Sequence, residues 1–265
     1  MRQPLQPLEK GPDMFRFAAS AAVALTLSAA PLAATDLTDM SDAERAAFQA
    51  QVRAYLLENP EVILEAITLL EDRQAEAQAQ ADLQLVADNA EELFNDGFSW
   101  VGGNPDGDIT LVEFLDYRCG YCHRAMPEVA NLLAEDGNIR LIVKEFPILG
   151  EASVVSSRFA IATRQIAGAE AYKQVHDALM TFNQDPDAVS LGRLANGLGL
   201  DGAAILARMD SDAVSDEIAR TRALAARLQI NGTPTFVVED ELLRGFLPAD
   251  QMAQLIAEIR ETRAN

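Results

Sequence analysis

Only two cysteines, Cys119 and Cys122, occur in this 265-residue chain, so no framework of several disulfides can staple it and a packed core must hold it together. Basic residues are scarce as well: 21 Lys and Arg stand against 41 Asp and Glu, a formal charge of -20. That balance repels a phosphate backbone and argues against nucleic acid as a partner; its plain consequence is solubility. Long hydrophobic runs are missing, since the most apolar stretch, from Ala18 to Ala30, is too short to span a bilayer. What is present, 49% apolar and 23% charged residues, suffices for one large domain or one domain plus an extension.

Met14-Phe15-Arg16-Phe17, the Ala-, Val- and Leu-rich run behind it and the small residues at Ala33 and Ala34 have the order of an export signal, expected over residues 1–34. Residues 1–13 hold three prolines and Lys10-Gly11-Pro12-Asp13, poor material for a signal's first region, so translation is expected to start at Met14. Export places the mature chain in the periplasm, an oxidising compartment where a cysteine pair can cycle through a disulfide.

Residues 35–97 read as a separate helical arm. Ser41-Asp42-Ala43-Glu44 is a capping-box pattern, and Phe48, Val52, Tyr55 and Leu56 follow at helical spacing, so a first helix is expected to run to Glu58. Asn59-Pro60 opens a second, through Val62, Leu64, Ile67 and Leu70, expected to continue to Phe94. So long a helix with so thin an apolar stripe needs a partner surface. That surface is either a second copy of the chain or the chain's own main domain; no heptad is sustained beyond Leu70 to decide between them.

The main domain is expected over residues 98–265, after turns at 95–97 and 102–108. A buried strand, Ile109 to Tyr117, runs into Cys119-Gly120-Tyr121-Cys122, and a helix follows from His123 to Ala134. A second apolar strand covers Ile139 to Phe146. A helical block occupies about 152–228, broken at Gly168, around Asp185-Pro186-Asp187 and at Gly199. Two strands, Thr235 to Val238 and Leu242 to Phe246, and a helix over 248–263 complete an α/β order that implies a mixed sheet with helices on both faces.

Cys119 falls at the strand-to-helix junction, where free backbone N–H groups and the helix dipole favour an anion; it is the candidate nucleophile and is expected to be the accessible thiol. Cys122, one turn further on, is placed to attack a mixed disulfide at Cys119 and release the partner. A purely structural disulfide is a weak alternative, since closing so short a loop stabilises by only roughly 2 kcal/mol, against about 4.7 kcal/mol for a hundred-residue loop.

The stretch Glu113-Phe114-Leu115-Asp116-Tyr117-Arg118-Cys119-Gly120-Tyr121-Cys122, with Pro127 beyond it, resembles the active-site segment of the DsbA-like branch of the thioredoxin superfamily. Lys144-Glu145-Phe146-Pro147-Ile148-Leu149-Gly150 and Gly232-Thr233-Pro234-Thr235-Phe236 resemble its second-strand signature and its cis-proline loop, and the helical block falls where that branch inserts a helical subdomain. The arm, with Asn59-Pro60-Glu61-Val62, resembles the amino-terminal region of the ScsC (suppressor of copper sensitivity) group. The resemblance implies a thioredoxin-like fold and a thiol–disulfide oxidoreductase. Cys119, Cys122 and Glu113 would be its catalytic residues, with Glu113 the buried carboxylate that takes the resolving thiol's proton; the residue-level alternative is a surface acid on an edge strand. Thr233 and cis-Pro234 would meet an extended substrate strand, and Gly120 and Tyr121 would flank the thiols; in the residues alone, Pro234 could equally be a trans turn proline. The implied partners are exported proteins with thiols or disulfides and a membrane redox partner of the DsbD/ScsB or DsbB type. No organic cofactor is implied, because the electrons travel as thiols. Oxidase, isomerase and reductase all use such a pair.

Three rival readings attach to the same residues. Cys119-Gly120-Tyr121-Cys122-His123 is a c-type haem attachment string, although a strand entering the motif is foreign to that setting. A zinc site would need Cys119, Cys122, His123 and His176 together, whereas His176 reads as a helix-surface residue. Two thiolates could also hold Cu(I), which would make the chain a copper-tolerance carrier.

Overall fold

The computed structural model describes residues 40–264, so the expected export signal and the start at Met14 lie outside the described residues. The chain divides into two units, one ending at Ile63 and one beginning at Leu64. Among the described residues no helix is long and apolar enough to cross a membrane.

The first unit is built on α1 (Asp42–Glu58). Its expected capping box is formed: Ser41 N–H donates to Glu44 Oε2 at 2.9 Å, and Glu44 N–H to Ser41 Oγ at 3.4 Å. Asn59 ends the helix by donating from both its backbone N–H and its side chain to the Tyr55 carbonyl. No residue of α1 is buried, and Phe48, Val52, Tyr55 and Leu57 are exposed. Helix α2 (Glu61–Asp88) follows.

That second helix does not reach Phe94. It breaks at Asn89 (φ -116°, ψ 13°), whose side-chain amide donates to the Leu85 carbonyl at 2.8 Å and whose oxygen accepts from Arg227 Nε at 2.7 Å. A short polar side chain that bonds the preceding turn competes with the helix ladder. A short α3 (Ala90–Phe94) then turns Leu93 into the core.

The sheet of the second unit has the order β1 (Trp100–Gly103), β3 (Ile139–Glu145), β2 (Ile109–Leu115), β4 (Thr235–Val238), β5 (Glu241–Arg244). β2 and β3 are parallel, and all other pairs are antiparallel. β1 falls partly where turns were expected. Gly102 belongs to it because the Trp100 indole lies over that position: a Cβ there would stand 2.0 Å from the ring. β2 stops at Leu115, two residues short of the expected Tyr117, because the Asp116 carboxylate caps a turn, accepting from the backbone N–H groups of Arg118 (2.8 Å), Ile148 (2.8 Å) and Leu149 (3.0 Å).

Side chains of the central strand alternate between two cores. Ile109, Leu111 and Leu115 pack with α4 (Gly120–Asp136), α5 (Glu151–Met180), α6 (Ala188–Gly197), α7 (Gly202–Met209) and α9 (Ala249–Ala264). Val112 and Phe114 pack with Val86 of α2, Leu93 of α3 and Leu224 and Leu228 at α8 (Asp212–Arg227) and its end. Helices α5 to α8 form the helical insertion between β3 and β4, and the expected break at Gly168 is present as a left-handed residue (φ 86°). The architecture is the mixed sheet with helices on both faces and a helical insertion that the element order implies.

Candidate active site

Cys119 is the N-cap residue of α4. The Asp116 turn puts it there: Cys119 N–H donates to the Asp116 carbonyl at 3.0 Å, and the Cys119 carbonyl accepts from His123 N–H at 3.1 Å as the first bond of the helix. Its Sγ donates to the carbonyl of Thr233 at 3.1 Å, and Thr233–Pro234 is a cis peptide. Both cysteines are free thiols. Cys119 is less open than expected, with 6% of its surface exposed beneath the Thr233 loop; Cys122, a turn further on, is wholly buried. Burial pushes the Cys122 thiol well up, opposed by a backbone hydrogen bond at Asp116 and reinforced by the Glu113 carboxyl and by a hydrogen bond to Cys119.

Gly120 and Tyr121 lie at the surface beside Cys119. The Arg124 guanidinium sits 4.1 Å from the centre of the Tyr121 ring and 6.0 Å from that of Phe246, giving the rim of the site a stacked aromatic and cationic patch.

Glu113 lies on the central strand, opposite Val143 of β3 and Phe236 of β4, and is 3% exposed, so the edge-strand surface reading does not hold. Its Oε1 has no hydrogen-bond partner. Burial, with the Glu145 carboxyl adding to it, raises its pKa to about 8.

His176 is the clear correction. It is buried, not on the helix surface, because α5 is packed among the other elements of the insertion and the sheet. Burial drives its pKa down to about 4, so it is neutral. Its Nδ1 lies 3.2 Å from the Tyr117 hydroxyl, and its ring stacks on Tyr172 at 5.9 Å. Tyr117 and Tyr172 both donate to Glu145 Oε1, at 2.7 and 2.6 Å. Burial raises Glu145 to about 7, held back by those two tyrosines. This buried cluster escaped the sequence reading; its traces there are Lys144-Glu145 inside an otherwise apolar strand and the spacing of Tyr172 and His176 among Val175, Leu179 and Met180 on α5. Lys144 turns to the opposite face, donating to Asp96 Oδ2 at 2.6 Å and to the Glu92 carbonyl at 2.8 Å.

His123 Nε2 is 2.7 Å from the Tyr117 carbonyl, so the two histidines and two cysteines do not converge as a zinc site would require. Among the described residues no group of three or more His, Cys, Asp and Glu side chains is placed to hold a metal ion.

The arrangement brings together two thiols one helical turn apart, a buried carboxyl with one unpartnered oxygen near the inner one and a backbone carbonyl across from the outer one. This is the equipment of dithiol–disulfide exchange.

Comparison with known proteins agrees with that geometry. The family model of the DSBA-like thioredoxin domain matches residues 110–259, and that of the copper resistance protein ScsC N-terminal domain matches residues 44–77. A thioredoxin-like oxidoreductase from Silicibacter pomeroyi is 43% identical, with a TM-score of 0.60 over 64% of this chain and 97% of that one. Proteus mirabilis ScsC in a transitional conformation is 27% identical, with a TM-score of 0.60 over 83% of this chain and 98% of that one. Among curated sequences, the Na(+)/H(+) antiporter NhaA of Herminiimonas arsenicoxydans is 32% identical over 165 residues, 62% of this chain but 26% of the antiporter. The chain thus spans about a quarter of the length of that relative.

Proposed function

This chain belongs to the DSBA-like thioredoxin family of thiol–disulfide oxidoreductases, and from that premise we propose that it exchanges disulfides with exported proteins in the periplasm through Cys119 and Cys122. The observation that carries the reading is the hydrogen bond from Cys119 Sγ to the Thr233 carbonyl, with Cys122 buried behind it. In the forward direction the Cys119 thiolate attacks a substrate disulfide, the S–S bond breaks, and one substrate sulfur leaves as a thiol. Glu113 in its ionised form then takes the Cys122 proton, and the Cys122 sulfur attacks Cys119 Sγ. The Cys119–Cys122 disulfide forms, the mixed disulfide breaks, and the second substrate sulfur leaves; reversal donates a disulfide. Tyr121, Arg124 and Thr233 border the place where the substrate chain would lie. A membrane partner of the DsbD/ScsB or DsbB type would reset the pair.

The arm supports an oligomeric isomerase over a monomeric oxidase or reductase. In the first unit Phe48, Val52, Leu56, Leu57 and Ile63 line an apolar groove of 440 Å³ on a helix with no buried residue. Several catalytic domains held around one client raise the effective concentration at which a wrong disulfide is attacked again. Light scattering on the mature chain, with isomerase and oxidase assays before and after removal of the arm, tests this: the intact chain is an oligomer, and the truncated chain loses isomerase activity while keeping its oxidase activity. A monomeric mature chain overturns the isomerase reading.

The ScsC N-terminal match favours one second reading, Cu(I) held by the two thiolates. Titration of reduced protein with Cu(I), against a Cys119→Ser control, separates it from thiol exchange alone.

A further inference from the structure

In a chain with 41 acidic residues against 21 basic ones, an exposed cation without a carboxylate needs a reason. Arg164, Lys173, Arg227, Arg244, Arg260 and Arg263 each pair with an Asp or Glu side chain. Arg124 does not: among the described residues its N–H groups meet no carboxylate and no other hydrogen-bond acceptor, and its contacts are two aromatic rings. It is exposed near the start of α4, three residues after Tyr121 and so on the same helix face. The Tyr121 ring, 55% exposed, lies against the guanidinium at 4.1 Å, and the Phe246 ring is 6.0 Å away. Phe246 follows Gly245, whose N–H donates to the Pro234 carbonyl at 3.0 Å, so Arg124 reaches from the active-site helix toward the cis-proline loop. A guanidinium stacked on a ring keeps the N–H fork at its edge open.

The approach to that fork from Cys119 is open. Gly120 separates Cys119 from Tyr121, and a Cβ built on it would meet nothing within 4 Å. No acidic residue occupies the first turn of α4, so the positive end of the helix is not neutralised there. Arg118, the other exposed cation beside Cys119, is already engaged: its Nη1 donates to the carbonyls of Phe182 at 3.3 Å and Gln184 at 3.4 Å. We propose that Arg124, held against the Tyr121 ring, receives a client carboxylate, so that the exchanger prefers exported segments with an Asp or Glu beside the reacting cysteine. The inference rests on the reading of Cys119 as the nucleophile and adds the class of client to it. A guanidinium fork takes a carboxylate through two parallel N–H···O bonds, which fixes orientation as well as contact. The chain as a whole, at a formal charge of -20, repels an acidic client, so the attraction is confined to the rim and selects which cysteine is presented. No bond is made or broken at Arg124.

Two reduced two-cysteine peptides, identical except for Glu or Gln next to the first cysteine, test the contact. Each is mixed with the oxidised full mature chain, and second-order rate constants are read by acid quench, alkylation and mass spectrometry for the parent, Arg124→Met and Arg118→Gln. Met keeps an unbranched stem over the Tyr121 ring and is a good helix former. Glu also changes the reactivity of the peptide thiol itself, so the readout is the Glu-to-Gln rate ratio of the parent divided by that of each variant. The expected result is a ratio about three- to fivefold lower in Arg124→Met, the scale of one exposed ion pair, and a parental ratio in Arg118→Gln. Equal ratios in the parent and Arg124→Met, with both peptides oxidised, overturn the carboxylate contact and leave disulfide exchange standing. A loss in Arg118→Gln as large as in Arg124→Met makes the preference one of diffuse charge and overturns the Arg124 site. If the parent oxidises neither peptide, the exchange reading fails and the inference fails with it.

Discussion

Cys119 Sγ and the carbonyl of Thr233 meet at 3.1 Å across 114 residues of chain. The contact joins the N-terminus of α4 to the loop before β4, and it places the outer thiol against the backbone that a substrate strand would meet.

The two thiols should react very unequally. Cys122 is buried and its thiol is pushed up by that burial, whereas Cys119 stands at the helix start with a small exposed surface. Iodoacetamide labelling near neutral pH, followed by peptide mapping, is expected to modify Cys119 and leave Cys122 untouched until the protein unfolds. Early labelling of Cys122 would reverse the assigned roles.

Glu113→Gln should leave the first attack intact and make mixed disulfides accumulate, which non-reducing gels resolve. The same variant has a stability signature. The Glu113 pKa is about 8 in the folded chain and about 4.5 when unfolded, so between those values the folded state holds a proton that the unfolded state has released. The parent is therefore at its best below pH ~4.5 with respect to this group and loses stability as pH rises to ~8, by on the order of 4 kcal/mol. Glu145, raised to about 7, acts in the same direction in both proteins. Denaturant melts should thus show the Gln variant gaining on the parent as pH climbs from 5 to 8; parallel curves would mean that Glu113 is ionised in the folded protein.

Much of this site was legible in the sequence because its parts are local. A strand that runs into Cys119, a capping box at Ser41 and a Thr-Pro-Thr-Phe loop announce themselves within ten residues. What stayed hidden depends on contacts between distant segments. His176 is a different case: it shares the buried stripe of Ala171, Tyr172, Val175, Leu179 and Met180 on the second half of α5 while Lys173 and Gln174 are exposed, so the helical spacing carried the signal and its polar residue type masked it. Asn89 breaks α2 with help from Arg227, 138 residues away. β1 is four residues long with two glycines, and only the Trp100 indole lying over Gly102 explains it.

Asp82 is buried on α2 and receives Arg244 of β5 through two hydrogen bonds, one of them 2.8 Å long. Arg244→Ala leaves a buried carboxylate without its partner. Because Arg244 is itself about one third exposed, the loss is discounted to about 1–2 kcal/mol. Hydrogen exchange should speed up in the C-terminal turns of α2 while the protection of α4 is kept; unchanged exchange in α2 would mean that the packing of Leu85 and Val86 and the Asn89–Arg227 contact hold it without Arg244.

Phe48→Glu with Leu57→Glu places charges on the bare apolar face of α1 without disturbing any buried residue. The double variant is expected to be monomeric by light scattering, with a circular dichroism spectrum and small-disulfide turnover equal to those of the parent. An oligomer that survives both substitutions would assign assembly to another surface.

The central claim, that Cys119 and Cys122 act as one exchange pair, is tested most directly by stoichiometry. Oxidised protein is mixed with a reduced two-cysteine peptide, quenched with acid, alkylated and weighed by mass spectrometry. The account predicts one peptide disulfide formed for each Cys119–Cys122 pair reduced, a transient peptide adduct on Cys119 alone, and no transfer by Cys119→Ser. A pair that stays oxidised while the peptide remains reduced, or adducts that form on Cys122, would contradict it.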